Sequence, residues 1–156
     1  MKVIRVQSEE QVSSVRELIR EYTFSLGVDL HFQGLAQELA GLPGEYSEPD
    51  GGLLAVDMNG RLIGCVALRK LEPRICEMKR MYVKPEFRGR GIGRMLAEAV
   101  VQNAREIGYE KMRLDTLSRL EDAISLYTSM GFQEIEPYIY NPLPGVRFLE
   151  LNIQDG

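Results

Sequence analysis

The stretch that decides the fold is VKPEFRGRGIGRML, residues 83–96. It begins at the end of a strand-like run, residues 75–83, passes Pro85 and three closely spaced glycines, and enters a series of apolar residues that recur every three or four positions. This apolar stripe predicts an amphipathic helix ended by Gly108. The stripe consists of Ile92, Leu96, Val100, Ala104 and Ile107. The stretch therefore predicts a strand, a glycine-rich loop and a long helix in direct succession.

The start of the predicted helix suits a bound anion. Its first amides have no partners within the helix, and the helix dipole adds positive potential. Arg88, Arg90 and Arg94 add three guanidinium groups that fit phosphate oxygens. The spacing is neither a dinucleotide fingerprint, whose third glycine comes one residue later, nor a Walker A loop, which needs Gly-Lys-Ser/Thr. A glycine-rich surface turn is the alternative interpretation of the glycines alone.

Strand-like and helix-like segments alternate along the rest of the chain in the order βααβββαβαββ. The strand-like runs are residues 2–6, 53–58, 62–68, 75–83, 111–115, 132–139 and 146–153. The helix-like runs are residues 12–26, 32–40, 92–107 and 123–130. The pattern predicts an α/β fold with a mainly antiparallel sheet and one βαβ crossover, between residues 75–83 and 111–115.

Short motifs predict where particular elements begin and turn. Ser8 with Gln11, and Ser118 with Glu121, match the capping box, in which a side chain at each position satisfies the backbone amide of the other. The dipeptide Asn59-Gly60 separates two apolar runs, and this is the strongest short signal for a β-hairpin.

The composition limits the class of protein. The chain has 156 residues, a net charge of -4 and a pI near 5.2, which predicts a single domain over residues 1–156 and disfavours a nucleic-acid binder. Two cysteines and one histidine predict neither a disulfide framework nor a metal site, so Cys65 and Cys76 are expected in the core and His31 at a helix cap or on the surface. No apolar run suits a signal peptide or a membrane helix, which favours a cytoplasmic protein.

Two motifs resemble the GCN5-related N-acetyltransferase (GNAT) superfamily. Arg88-x-x-Gly91-x-Gly93 matches its Arg/Gln-x-x-Gly-x-Gly/Ala signature, and residues 123–132, AISLYTSMGF, resemble its later A-x-x-L-Y-x-x-x-G-F segment. The resemblance covers nearly the whole chain. It implies a GNAT-like fold, in which the parallel strand pair of a mainly antiparallel mixed sheet splays apart between flanking helices.

The resemblance also implies that acetyl-CoA is the acyl donor and that no metal is required. The glycine loop would hold the pyrophosphate, and the preceding strand would pair with the pantetheine arm. The implied cofactor-binding residues are Met81, Tyr82, Val83, Arg88, Gly89, Arg90, Gly91, Ile92, Gly93 and Arg94. Leu120 stands where many members have an asparagine, so a side-chain hydrogen bond to pantetheine is not expected from that position.

Two residues are predicted to be catalytic. Tyr127 matches the tyrosine that resembling enzymes place near the CoA sulfur, where it would act as the acid; its alternative is a core tyrosine. Glu77 matches the catalytic glutamate of the histone-acetyltransferase branch and would act as the base; its alternative is a surface ion pair. In an uninterrupted strand Glu77 shares a face with Lys79, Met81 and Val83.

The function expected is acetyl transfer from acetyl-CoA to a primary amine of a small molecule or peptide by direct attack. A non-catalytic acyl-CoA-binding or sensing module is the alternative. The expected partners are the amine acceptor and, as an open option, a second copy of the chain in a homodimer. A nucleic acid is not expected, because the net charge is negative and the arginines around Gly91 are not interleaved with aromatic residues. A membrane is not expected either, because no apolar run is long enough to span one.

Overall fold

The computed structural model describes residues 1–153, which form a seven-stranded sheet of order β1-β2-β3-β4-β5-β7-β6 with helices packed on it. The strands are β1 (Lys2–Arg5), β2 (Gly52–Met58), β3 (Arg61–Glu72), β4 (Ile75–Val83), β5 (Lys111–Leu117), β6 (Gln133–Ile135) and β7 (Val146–Asn152). The helices are α1 (Glu9–Leu26), α2 (Leu35–Ala40), α3 (Ile92–Ile107) and α4 (Glu121–Ser129). This succession confirms the predicted order of elements.

The sheet is mixed, with a single parallel pair among the described strands. β1 to β4 pair in sequence as an antiparallel meander, and β5, β7 and β6 pair antiparallel on the other side. β4 and β5 are parallel, and α3 provides the crossover between them. The turn at Asn59-Gly60 joins β2 and β3, with Asn59 at φ 54°, as the hairpin signal predicts. The mainly antiparallel mixed sheet is therefore confirmed.

Two apolar cores lie on opposite faces of the sheet. The core beneath α3 and α4 contains the predicted α3 stripe, of which Ile92, Leu96, Val100 and Ala104 are at most 1% exposed. The core beneath α1 contains Val12, Val15, Leu18 and Ile19. Ser8 caps α1 through its hydroxyl, which accepts a hydrogen bond from the Gln11 amide at 3.1 Å, and this confirms the first capping box. Within residues 1–153 no helix has both the length and the apolar composition needed to cross a bilayer.

A buried asparagine of α3 fills the space that a side chain on β2 would otherwise occupy, and this contact positions the helix against the strand. Asn103 is 4% exposed, and a Cβ added to Gly52 would come 2.2 Å from its Oδ1 atom. Only a glycine at position 52 leaves room for the Asn103 side chain in this position. The contact thus joins the C-terminal half of α3 to the backbone of β2.

β4 and β5 separate after a short paired segment. The paired residues are Ile75 with Lys111, Cys76 with Met112, and Glu77 with Arg113. Beyond Glu77 β4 has no partner on β5, although its pairing with β3 continues to Val83. A gap therefore opens between the carboxyl ends of two parallel strands, which is the position where open α/β sheets bind ligands.

A β-bulge in β4 accompanies this separation. Arg80 has φ 58°, in the left-handed region, and the pairing with β3 shifts register between Cys65 and Ala67. Met78 and Tyr82 would share a face in a regular strand. Instead Met78 belongs to the core beneath α3 and Tyr82 to the core beneath α1. The bulge therefore places residues that would share one face of a regular strand on opposite faces of the sheet.

This bulge changes the predicted surroundings of Glu77. Met81 and Val83 pack against the core beneath α3. Glu77 is paired with Arg69, which also contacts Glu45 near the α1 side of the sheet. The shared face expected for an uninterrupted strand therefore does not extend past the bulge, which separates Glu77 from Met81 and Val83. The sequence carries no local signal for the left-handed Arg80.

The second predicted capping box does not form. α4 has Leu120 as its N-cap and no side-chain cap. The Ser118 hydroxyl instead donates a hydrogen bond to the Gly145 carbonyl at 2.8 Å, and the Ser118 amide donates to the same oxygen. Ser118 thus connects β5 to the loop before β7, and a long-range partner replaces the local one.

The strand predicted over residues 132–139 is much shorter than expected. Only Gln133–Ile135 pairs with β7. Pro137 follows two residues later and has no amide hydrogen to donate to a ladder, which is a physical reason for the strand to stop. The chain from Glu136 to Gly145 forms a loop over the gap side of β5.

We predict that Leu96→Ala lowers the free energy of unfolding by about 2–5 kcal/mol, because Leu96 is fully buried and its truncation leaves a cavity. Denaturant unfolding measures this change. Glu98→Ala, on the exposed side of the same helix, is the matched control and should change stability by less than about 1 kcal/mol. Equal effects of the two substitutions would contradict the assigned face of α3.

Candidate active site

The loop between β4 and α3 presents free backbone donors. Gly89 and Gly91 adopt left-handed conformations, with φ 81° and 79°, which a side chain would disfavour. Gly91 is the N-cap of α3, and no side chain caps this helix. The first amides of α3 therefore remain available to an anion, and the helix dipole favours negative charge there.

A cleft of about 640 Å³ extends from this loop along β4 to α4. Its volume is in the range of small-molecule and cofactor sites. Eight of the ten residues predicted to bind the cofactor line it, namely Met81, Tyr82, Val83, Arg88, Gly89, Gly91, Ile92 and Gly93. The described structure thus brings the glycine loop and the unpaired end of β4 to one continuous surface.

The three predicted arginines differ in placement. Arg88 lines the cleft, lies over the Tyr82 ring at 5.7 Å and donates from Nε to the Val83 carbonyl at 3.1 Å. Arg90 and Arg94 do not line it. Arg90 stacks over Phe87 at 5.3 Å, and Arg94 donates to Ser129 at 2.7 Å. Both guanidinium groups therefore have partners at the edge of the loop.

A second, smaller cavity of about 80 Å³ continues from the cleft through the gap between β4 and β5. Six residues line both spaces: Tyr22, Leu26, Met81, Leu120, Ala123 and Tyr127. A molecule in the cleft and a molecule in the cavity would therefore meet beside these side chains. The floor of the cavity is the separated part of the parallel strand pair.

Tyr127 lies at this junction. It is 5% exposed and packs against Phe132 with ring centroids 5.6 Å apart. Burial, and to a smaller extent the nearby Tyr22, raise the pKa of the Tyr127 phenol. Its hydroxyl forms no hydrogen bond with another residue in the range 1–153. Tyr127 is thus a protonated phenol at the junction of the cleft and the cavity, and its hydroxyl is available to donate a hydrogen bond to a ligand.

The cavity contains polar side chains that the sequence reasoning did not select. Lys79 and Asp115 line it, and Asn141 donates a hydrogen bond from Nδ2 to Asp115 Oδ2 at 3.0 Å. Gln33 also lines it, and its Oε1 atom is buried without a hydrogen-bond donor. Asp115 lies in the part of β5 beyond its pairing with β4, and it is the last residue of the strand predicted over residues 111–115. Its place at the carboxyl end of a predicted crossover strand was the signal that could have identified it.

Glu77 lies outside both spaces. It is fully buried, accepts a hydrogen bond from Arg69 Nε at 2.7 Å and accepts another from the Tyr138 hydroxyl at 2.6 Å. Burial and the adjacent Glu77 carboxylate raise the pKa of Tyr138, which keeps that hydroxyl protonated. Glu77 is therefore part of a buried ionic network directly beside the last paired residue of β5, and not a wall of the cavity.

The remaining conspicuous residues take the expected structural places. Cys65 and Cys76 are buried free thiols, and burial raises the pKa of each to about 12. His31 is exposed in a short 3₁₀ turn, where its backbone amide donates to Asp29. Within residues 1–153 no group of three or more His, Cys, Asp or Glu side chains is arranged to hold a metal ion.

Comparison with known proteins identifies the family. The family model for the acetyltransferase (GNAT) family matches residues 13–132. An uncharacterized N-acetyltransferase of Schizosaccharomyces pombe is 39% identical over 155 residues, which cover 98% of this chain and 95% of the relative.

Solved structures share the fold. A GNAT-family acetyltransferase of Staphylococcus aureus superposes with a TM-score of 0.79 at 21% identity, covering 97% of this chain and 98% of the other. The PaiA N-acetyltransferase of Thermoplasma acidophilum, solved in complex with coenzyme A, superposes with a TM-score of 0.75 at 21% identity, covering 97% and 99%. These structures support the GNAT fold of the described residues.

Proposed function

Since this chain belongs to the GNAT family of acetyltransferases and is an N-acetyltransferase, we propose that it transfers an acetyl group from acetyl-CoA to the primary amine of a small molecule or peptide by direct attack. The observation that carries this proposal is the position of Tyr127, where the cleft and the cavity meet. The cleft would hold the donor and the cavity the acceptor amine.

The cleft fits coenzyme A in three respects. Its volume of about 640 Å³ accommodates an extended cofactor arm. The uncapped start of α3 and Arg88 suit the pyrophosphate, and the part of β4 without a β5 partner offers backbone groups to the pantetheine amides. The relative of similar fold from T. acidophilum binds coenzyme A. Met81, Tyr82, Val83 and the residues from Arg88 to Gly93 that line the cleft are thus the proposed cofactor contacts.

Acetyl-CoA supplies an activated thioester, and the chain supplies positioning and proton handling. In the reaction a C–N bond forms and the C–S bond breaks, and the amine loses one proton while the departing sulfur gains one. We place Tyr127 as the acid that donates its phenolic hydrogen to this sulfur. A backbone N–H near Met81 would stabilise the charge that develops on the carbonyl oxygen.

The amine must lose a proton to attack, because its free pKa lies near 10.4. Asp115 is the carboxylate that lines the cavity, and we propose that it receives this proton directly or through water. Glu77 stays a second candidate. It is less favoured because both of its oxygens already accept hydrogen bonds and it lines neither space.

We expect coenzyme A to bind and Gly91→Val to weaken that binding at least about tenfold, because a β-branched residue is strained at φ 79° and obstructs the close backbone approach. Isothermal titration calorimetry measures the dissociation constant. Gly60→Val is the matched control, since Gly60 has φ 88° in a hairpin outside the cleft. Absence of coenzyme A binding to the unaltered protein at millimolar ligand would refute the proposed donor site.

Tyr127→Phe should lower kcat by about 10–10³-fold and leave the coenzyme A dissociation constant nearly unchanged, because the lost hydrogen bond forms mainly in the transition state. Tyr109→Phe is the control, since the Tyr109 hydroxyl donates to the Asp50 carbonyl at 2.7 Å outside the site. It should lower the melting temperature and preserve kcat. A destabilised but fully active Tyr127→Phe protein would show that Tyr127 is only a core residue.

Asp115→Asn and Glu77→Gln distinguish the two candidate bases. We expect Asp115→Asn to lower kcat by about 10²–10⁴-fold, most strongly at low pH where the free amine is scarce. Glu77→Gln should mainly lower the melting temperature, because it breaks a buried ion pair with Arg69. Rate profiles against pH and thermal melts of both variants measure this. The reverse pattern would assign the base to Glu77.

A further inference from the structure

The cavity beside Tyr127 has two charged side chains that face each other without pairing. Glu77 and Arg113 form the last pair of the parallel strands, and Lys79 and Asp115 each lie two residues beyond it. Side chains two residues apart lie on the same face of a strand, so the separation of the strands places Lys79 and Asp115 on opposite sides of the gap. They form no salt bridge with each other, and both line the cavity.

Lys79 is a cation without a direct protein partner in the described part of this wall. Among residues 1–153 its ammonium group forms no hydrogen bond or salt bridge. Its neighbour Arg80 also lines the cavity, but the guanidinium group is neutralised by Glu38 through two hydrogen bonds of 2.8 Å. Burial lowers the pKa of Lys79, and the nearby Glu77 and Asp115 partly oppose that effect. A bound anion would reduce the cost of keeping this partly buried ammonium charged.

The opposite side of the cavity offers acceptors. Asn141 occupies Oδ2 of Asp115, and Oδ1 has no donor among the described residues. The buried Oε1 atom of Gln33 also lacks a donor. A buried acceptor without a partner, such as Gln33 Oε1, is rare in native structures, because an unsatisfied oxygen costs free energy. Asp115 is only partly buried, so its Oδ1 atom is open to a ligand in the cavity. Both oxygens would be satisfied by the N–H groups of an amine in the cavity.

We propose that the acceptor is a small zwitterion, an amino acid, with its carboxylate on Lys79 and its amine between Asp115 and Gln33. This inference rests on the proposed function, since it identifies the molecule whose amine is acetylated. It selects a free amino acid over a peptide or protein amine, because a peptide N-terminus has no carboxylate next to its amine to neutralise Lys79. The small volume of the cavity, about 80 Å³, agrees with a small acceptor.

The test compares amino acids with their own carboxamides, which keep the amine and side chain but lack the negative charge. The twenty standard L-amino acids and their amides are assayed with acetyl-CoA, and the released thiol is measured. We expect kcat/KM for the best amino acid to exceed that for its amide by about 10–100-fold, the value of a hydrogen bond between charged groups.

Lys79→Met should abolish this preference by lowering kcat/KM for the amino acid about 10–100-fold while changing that for the amide less than about threefold. Asp115→Asn should lower both alike, because both acceptors carry the amine. Lys70→Met, which removes an exposed lysine of β3 outside the cavity, is the control and should change neither. Melting temperatures establish that each variant is folded.

Turnover of amides or simple amines with no preference for a carboxylate would overturn the amino-acid proposal and leave the proposed acetyltransferase function intact. An amino-acid preference that persists in Lys79→Met would overturn it as well. If no acceptor is turned over, calorimetry with the protein saturated with coenzyme A decides: the proposal requires an amino acid to bind and Lys79→Met to lose that binding. Failure of coenzyme A itself to bind is the separate result that refutes the proposed function.

Discussion

The early end of the pairing between β4 and β5 is the constraint on which the site depends. Three residue pairs hold the parallel strands together, and after Glu77 the backbone of β4 faces a gap. Such a gap costs hydrogen bonds that a continued ladder would make, and these groups must find other partners. The cleft and the cavity both lie along this interruption. The proposed binding of a cofactor arm and of an acceptor therefore depends on the absence of pairing between β4 and β5 beyond Glu77.

The bulge at Arg80 allows the interruption without loss of the core. A non-glycine residue at φ 58° carries a conformational cost, and the two hydrogen bonds from Arg80 to Glu38 of α2 offset part of it. The same ion pair attaches α2 to the strand beside the cavity. Arg80 thereby moves the later residues of β4 to the opposite face and connects α2 to the strand. Because Arg80 itself is paired, Lys79 is the cation of the described cavity wall that has no hydrogen bond or salt bridge to the protein.

Features with a local or periodic cause could be predicted from the sequence. The α3 stripe, the Asn59-Gly60 hairpin and the glycine loop are of this kind, and the resemblance added Tyr127. The features that were missed depend on contacts between distant segments. No pattern near Arg80 indicates a left-handed residue. The Ser118 hydroxyl donates to a loop carbonyl and does not cap its own helix. Asp115 lines the cavity because β5 lies beside β4 in the sheet.

The close contact of Asn103 with Gly52 has a mechanical consequence for the glycine loop. The apolar stripe of α3 determines which face of the helix packs on the sheet. Asn103 adds a constraint on its position along the sheet, since its side chain fits at Gly52 and a strand residue with a Cβ would collide with it. Gly93, at the start of α3, is ten residues away, or about 15 Å at 1.5 Å rise per residue. The contact that constrains where the anion-binding amides lie along the sheet is therefore in the C-terminal half of the helix.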